Sequence, residues 1–275
     1  MSTTTVAPST GVKSAGVQSP GIRFSGVMRS EWTKLRSVRS TLWSLGVAVF
    51  FLIGLGIIGC LVVESRYPNV RHDFHPLSQS LAGVNLAQFA VGVLGVLTIT
   101  AEYSTGMIRS SMCAVPKRLP VLWAKALVFG TVTFVITLPA IVIVFFIGQS
   151  ILSGHDLQVS LSTPGVVRSL FGAALFLTVM GLFGLGLGTI IRTTAGGISA
   201  LVAIVFVIPP ILQAILTTSL SNDINPYLPL SAGGSIWTIN PDSNTLSPWA
   251  GFAVFCGYAA VSLAIGAVVL RKRDV

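Results

Sequence analysis

The chain has 275 residues, of which 52% are hydrophobic and only 9% are charged. A typical soluble domain carries about 25% charged residues, so this composition excludes an ordinary soluble protein and indicates an integral membrane protein. The net charge of +9 does not imply a nucleic-acid partner, because the position of the basic residues decides their role.

The first segment, residues 1–26, is rich in Ser, Thr, Gly and Pro and has no apolar periodicity. This composition predicts a disordered tail. The segment lacks the apolar core of a signal peptide, so we expect no cleavage. Residues 27–275 then form one membrane domain.

The segment before the first apolar run reads "VMRSEWTKLRSVRSTLW" from Val27. Its apolar residues recur near helical spacing and its basic residues fill the positions between them, which predicts a basic amphipathic helix on the inner membrane surface. The same charges could serve only to fix the topology. The residues of this predicted interfacial helix are Arg29, Trp32, Lys34, Leu35, Arg36 and Arg39.

Six apolar runs contain no charged residue and are about as long as the roughly 20 residues that a helix needs to cross a bilayer. A backbone exposed to lipid must satisfy its own hydrogen bonds, so continuously apolar runs predict helices and argue against a β-barrel. The predicted fold is therefore an all-α integral membrane protein. Its predicted spans are 41–63, 81–101, 126–147, 169–191, 195–216 and 249–270.

The basic residues predict the orientation of these spans. With the N-terminus placed in the cytoplasm, 14 of the 17 Lys and Arg residues fall in inside segments and 3 fall outside. Cytoplasmic loops are generally enriched in Lys and Arg. We therefore expect a multi-pass protein of the plasma membrane with both termini in the cytoplasm.

The first inside loop lies within "ITAEYSTGMIRSSMCAVPKRL", which starts at Ile99. The second apolar run ends near Glu102, and Gly106 allows a sharp turn. Ile108, Met112 and Val115 then recur at i, i+4 and i+7, which predicts a short helix with one apolar face. Such a face is either covered by a protein surface or lies back on the membrane.

Glu102 lies just before this predicted helix. An acid is favourable near the positive N-terminal end of a helix. We expect Glu102 to pair with Arg109, or with a basic residue of the interfacial helix such as Arg36.

Small residues and prolines mark two later spans. Gly184 and Gly188 are four residues apart in the fourth span, a spacing that lets two helices approach closely. Pro209 and Pro210 remove backbone donors from the fifth span and should kink or unwind it. Gln213, one turn later, could satisfy a freed carbonyl or face a cavity.

Several kinds of site are not predicted. The sequence has no GxxxxGK[ST] phosphate loop, so we do not expect the chain to bind ATP in the usual way. No acid, Lys or Arg lies deep within a predicted span, which argues against proton coupling. Three dispersed cysteines and the outer-loop residues His72, His75, His155 and Asp156 are weak evidence for metal, and we predict no metal site and no enzymatic activity.

Two motifs resemble a known family. From about Val27 onwards, the chain resembles the permease subunits of type 2 ABC transporters. The resemblance lies in "SEWTKLRSVRSTLW", in "TAEYSTGMIRSSMCAVPKRLPVLWAKAL" and in the six apolar runs. "YLPLSAGGSIW" before the last span is similar to the external segment of that family. The resemblance implies an interfacial connecting helix, and a coupling helix that docks on a separate ATPase. The implied coupling residues are Glu102, Gly106, Ile108, Arg109, Met112 and Val115.

The resemblance also implies the assembly. Two permeases, identical or different, would pair with two ATPases, and ATP and Mg would bind to those partners, so this chain needs no cofactor of its own. The implied lining of the transport pathway is Asn85, Gln88, Pro209, Pro210 and Gln213. The largely apolar spans favour lipidic or amphipathic substrates. The alternative is a stand-alone membrane scaffold or channel whose cytoplasmic helix binds a different partner.

Overall fold

The computed structural model describes residues 24–37, 39–66, 75–106, 118–155, 157–239 and 244–272. These residues form helices joined by short connections, and no strand occurs among them. The predictions of an all-α fold and of six long apolar helices are confirmed, and the chain is a multi-pass membrane protein. The helices long and apolar enough to cross a membrane are Trp43–Ser65, Val84–Ser104, Leu119–His155, Val166–Ile191, Thr194–Ile215 and Pro248–Lys272, here called spans 1 to 6.

The helices of the described ranges follow one another in chain order. They are α1 (Phe24–Ser37), α2 (Arg39–Ser65), α3 (Pro76–Ser80), α4 (Val84–Ser104), α5 (Arg118–Leu152), α6 (Val166–Ile191), α7 (Thr194–Val202), α8 (Ile208–Ile215), α9 (Thr218–Ile224), α10 (Pro229–Gly234) and α11 (Pro248–Lys272). Spans 1, 2, 3, 4 and 6 correspond to α2, α4, α5, α6 and α11, and span 5 combines α7 and α8.

Span 4 is the central helix of the bundle. In its most apolar stretch 78% of the residues are buried, whereas the corresponding share in span 5 is 17%. It packs against α4, α5 and α11. Phe176 and Met180 of span 4 are fully buried. Since lipid chains are as apolar as these side chains, close packing rather than exclusion of water holds such helices together.

The predicted close approach at the span 4 glycines is confirmed. A Cβ atom on Gly184 would overlap the carbonyl group of Gly92 in α4, and one on Gly188 would lie 3.0 Å from the carbonyl oxygen of Val96. Gly95 of α4 faces the backbone of Gly181 in the same way. Spans 2 and 4 therefore touch through their backbones.

Span 5 is irregular just before the prolines, where a kink or unwinding was predicted, but the helix is not unwound at the prolines themselves. Residues Ala203–Val207 form a π-helical turn, and α8 begins at Ile208 with the prolines in its first turn. Proline lacks the N–H group that an α-helix would donate to the preceding turn. The change from α to π helix accommodates this without unwinding the span.

Span 3 extends further towards the N-terminus than the predicted 126–147. Helix α5 starts at Arg118 and has 35 residues, which corresponds to about 52 Å at 1.5 Å per residue, against about 30 Å of hydrocarbon. The helix is therefore longer than the hydrocarbon core is thick. The prediction treated Arg118 and Lys125 as loop residues because they are charged, but both belong to the helix.

At the end of the bundle opposite to the start of α5, the segment after α9 packs against the spans. Gly233 of α10 lies against the rings of Phe176 and Phe255. Arg168, in the first turn of α6, donates a hydrogen bond of 3.0 Å to the carbonyl oxygen of Thr238. The sequence predicted this segment only through its family resemblance.

Candidate functional site: a buried ring of charges

Four charged side chains meet where α1, α4 and α5 come together. Lys34 Nζ lies 2.7 Å from Glu31 Oε1 and 3.2 Å from Glu102 Oε1. Lys125 Nζ lies 2.6 Å from Glu31 Oε2 and 2.8 Å from Glu102 Oε1. Positive and negative groups alternate around a closed loop, which we call the charge ring.

The charge ring is buried. Glu31 and Lys125 are each 3% exposed and Glu102 is 7% exposed, whereas the side chain of Lys34 is 24% exposed. A buried charge is costly unless it is paired and hydrogen-bonded. The two carboxylates and two ammonium groups neutralise one another, so the ring can lie inside the protein.

Local helix packing places the ring. Val27 of α1 packs with Val121 and Ala124 in the first turns of α5. Glu31 lies one turn beyond Val27, and Lys125 lies one turn beyond Val121, so the apolar contact aligns the two charges. Packing of α1 against α5 thus brings Glu31, Lys34 and Lys125 together, and Glu102 of α4 completes the ring.

The pKa values of the α1 members reflect this pairing. Burial raises the pKa of Glu31, but the ammonium groups of Lys125 and Lys34 lower it by more, so it lies below its ordinary value of 4.5. Burial lowers the pKa of Lys34, but Glu31 and Glu102 raise it by more, so it lies above 10.5. Both groups therefore carry their charge at neutral pH.

Glu102 is incompletely satisfied. Its Oε1 atom accepts hydrogen bonds from Lys34 and Lys125, whereas Oε2 is buried and meets no hydrogen-bond donor in the described part of the chain. The expected pairing with the interfacial helix occurs, but through Lys34 rather than Arg36, which is exposed. Lys34 lies on the same side of α1 as Glu31, whereas Arg36 points away from it. Arg109, the other expected partner, lies outside the described residues.

The chain turns directly after α4. Gly106 has a φ of 70°, a left-handed conformation that glycine adopts without steric cost, so the expected turn is present. Ser104 and Thr105 donate their hydroxyl hydrogens back to the carbonyl oxygen of Ala101. The predicted docking residues Ile108, Arg109, Met112 and Val115 lie outside the described residues.

The other predicted residues of the interfacial helix lie in or beside α1. Arg29, Trp32 and Arg36 are exposed, and Leu35 is half-buried. Arg39 is the first residue of α2, and its side chain lies outside the described part of the structure.

The predicted lining residues lie on two spans that contact each other. Phe89 and Phe206 stack with 3.6 Å between their ring centroids, and Thr194 donates a hydrogen bond of 3.1 Å to Thr100. Spans 2 and 5 therefore run side by side. The structure does not show a pathway between the candidates on these spans.

Each lining candidate has its own environment. Gln88 is 3% exposed and donates to the carbonyl oxygen of Asn85, which is itself exposed. Pro209 is buried and Pro210 is exposed. Gln213 is exposed, and its side chain donates to Oδ1 of Asn225 at 2.9 Å rather than to a freed backbone carbonyl. Its expected position beside a cavity stays a prediction.

Two ring members, Glu31 and Lys125, were not predicted as site residues. Glu31 has a local signal that could have revealed it, because it shares a helix face with the apolar Val27 and is an acid in a basic segment. Lys125 directly precedes an apolar run and has no such signal. Their contact joins residues 94 positions apart, which only the fold brings together.

The histidines of the two loops form no metal centre among the described residues. His75 and His155 are exposed, while His72 and Asp156 lie outside the described residues. Within the described ranges, no three His, Cys, Asp or Glu side chains are close enough to hold a metal ion.

The chain matches no model of a known protein family. It also matches none of the curated proteins with which it was compared. The family resemblance therefore rests on the sequence motifs alone.

Proposed function

We propose that the chain is the permease subunit of a type 2 ABC exporter and moves its substrate outward when a separate ATPase subunit hydrolyses ATP. The charge ring carries this proposal. It joins the ends of spans 2 and 3, which flank the predicted docking segment 107–117, to helix α1. The motif resemblance and the six apolar helices support it.

The ring gives a physical means of coupling. Glu102 lies in the last turn of α4, and Lys125 lies two turns into α5. A segment held between two anchored helices transmits a displacement to both spans, whereas a loose hairpin would absorb it. ATP would favour one arrangement of the ATPase pair, and the anchored segment would bias the spans towards the matching state.

The remaining parts of the proposal follow from the same arrangement. The ring lies at the cytoplasmic end of the bundle, α1 is the interfacial connecting helix, and both termini are in the cytoplasm at the plasma membrane. The chain itself is not catalytic, since ATP and Mg bind to the partner. Two permeases pair in the complex, and Asn85, Gln88, Pro209, Pro210 and Gln213 are the candidates for the pathway.

The decisive experiment charges the predicted docking face. We expect Ile108→Asp to abolish co-purification of a co-expressed ATPase partner and to abolish transport, because a carboxylate cannot enter an apolar contact without a partner. Membrane insertion should be unchanged. Ser110→Asp is the matched control, since residue 110 lies on the opposite face of the predicted helix.

Two results would contradict the proposal. If Ile108→Asp retained normal ATPase binding and normal transport, the segment would not be the docking element. If the purified chain alone transported a substrate into liposomes without ATP, the stand-alone channel would be the better explanation.

A further inference from the structure

Helix α1 presents a second face to its surroundings, opposite the charge ring. Arg29, Trp32, Thr33 and Arg36 follow one another at i, i+3, i+4 and i+7 and are all exposed. Trp32 is 51% exposed. The hydroxyl of Thr33 bonds within the helix to the carbonyl oxygen of Arg29. We call these residues the arginine stripe.

The positive charge of the arginine stripe is not paired within the described residues. The charge ring is neutral, so Lys34 is compensated by Glu31 and Glu102. Across the described ranges, neither Arg29 nor Arg36 forms an ion pair with an acid. Two guanidinium groups with a Trp between them are therefore exposed, and no acid in the described part of the chain pairs with them.

The stripe lies next to the start of span 1 in the chain. Helix α1 ends at Ser37 and α2 begins at Arg39. The apolar part of α2 starts at Trp43, which is 76% exposed. Contact of Val27 with the first turns of α5 keeps α1 beside the bundle. Trp and Arg are both typical of the membrane–water interface.

We infer that the arginine stripe binds the phosphate groups of anionic lipids at this surface of the bilayer. Guanidinium groups match phosphate oxygens in a bidentate geometry, and the exposed indole of Trp32 sits at the headgroup level. An acidic protein would fit the charge but not the exposed Trp at the bilayer edge. Because Glu31 and Lys34 lie on the other side of the same helix, bound lipid holds α1 against α5. This inference does not depend on the proposed transport function.

The experiment titrates the purified full-length protein in detergent with phosphatidylglycerol and, separately, with phosphatidylcholine, and counts bound lipids by native mass spectrometry. A basic residue at an anionic membrane surface contributes about 1 kcal/mol, so losing two should weaken phosphatidylglycerol binding roughly 30-fold. We expect this weakening for the variant Arg29→Gln/Arg36→Gln, whose phosphatidylcholine binding should be unchanged. The variant Arg29→Lys/Arg36→Lys should lose less of its affinity for phosphatidylglycerol, because the charge remains.

The control is Arg66→Gln/Arg71→Gln, which removes the same charge from the segment that follows span 1 in the sequence. Unchanged phosphatidylglycerol affinity in the Arg29→Gln/Arg36→Gln variant would overturn the inference, and so would an equal loss in the control. If that variant kept its lipid affinity but lost a protein partner, the stripe would be a protein-docking face instead. Should the variant fold poorly, salt provides a second measurement on the unaltered protein. At about 1 M, where the Debye length is about 3 Å, binding should weaken, and salt-insensitive binding would refute the inference.

Discussion

At the scale of single residues, three members of the charge ring, Glu31, Glu102 and Lys125, are almost fully buried. Paired charges inside a protein contribute little net stability, but removing one partner leaves the others uncompensated. Replacing one member of the ring should therefore lower the stability of the protein more than replacing an oppositely charged pair does. Lys34, which is a quarter exposed, is the least sensitive member.

Lys125→Met tests this directly. It leaves the carboxylates of Glu31 and Glu102 buried close to each other, and we expect it to destabilise the protein by about 3–5 kcal/mol. The double variant Glu31→Gln/Lys125→Met retains the neutral Lys34–Glu102 pair, so its cost should be smaller than the sum of the single costs. Thermal unfolding in detergent measures both.

Lys272→Met is the matched control for this series, because Lys272 is exposed in the last turn of α11. It should change stability little. A Lys125→Met variant as stable as the control would show that the buried ring does not contribute as described.

The ring also predicts how stability depends on pH. The lowered pKa of Glu31 means that its stabilisation is present above 4.5 and is lost as the pH falls through the folded-state value. The raised pKa of Lys34 means that its stabilisation is present below 10.5 and is lost as the pH rises through the folded-state value. We expect a plateau of melting temperature between these limits.

Melting temperatures across the pH range check this prediction. Glu31→Gln should flatten the acid limb and leave the alkaline limb, whereas Lys34→Met should do the reverse. If Glu31→Gln kept the acid limb of the unaltered protein, other carboxylates would control acid unfolding.

At the scale of elements, the contact between α4 and α6 depends on the absence of side chains. Gly184 lies against the carbonyl group of Gly92, so Gly184→Val would force the two backbones apart. Overpacking of this kind costs about 1–3 kcal/mol, occasionally more. We expect a lower melting temperature and a smaller monodisperse fraction in size-exclusion chromatography.

Gly257→Val is the control at this scale. Gly257 lies in α11, and an added Cβ atom there would meet nothing within 4 Å. Both variants insert the same side chain into an apolar helix, so they differ only in the close contact. Equal melting temperatures for the two variants would contradict a backbone contact between spans 2 and 4.

At the scale of the whole molecule, the distribution of charge predicts the topology. With 14 of 17 basic residues on one side, reporter fusions on that side should report the cytoplasm and fusions on the other should report the outside. The inside positions are Met1, Pro116, Thr193 and Val275, and the outside positions are Asn69, Asp156 and Asn240. Opposite signals at the two termini would require an odd number of spans and would exclude this topology.

The sequence by itself determined the class of the molecule and the number of its long apolar helices. Charge-free runs of bilayer length must form helices, since lipid offers no partner for backbone N–H and C=O groups. Local chemistry likewise predicted the turn at Gly106 and a departure from regular helix near Pro209, because these depend on the residue's own backbone freedom.

The tertiary structure alone decided which charges meet and which helix is central. The spacing of apolar residues predicts which face of a helix is buried, but it does not predict which other helix packs against that face. Glu31 and Lys125 are 94 positions apart, and their pairing depends on Val27 packing against Val121 and Ala124. The interaction of buried charges falls steeply with distance and exposure, so the ring exists only once the packing of α1, α4 and α5 has placed its members.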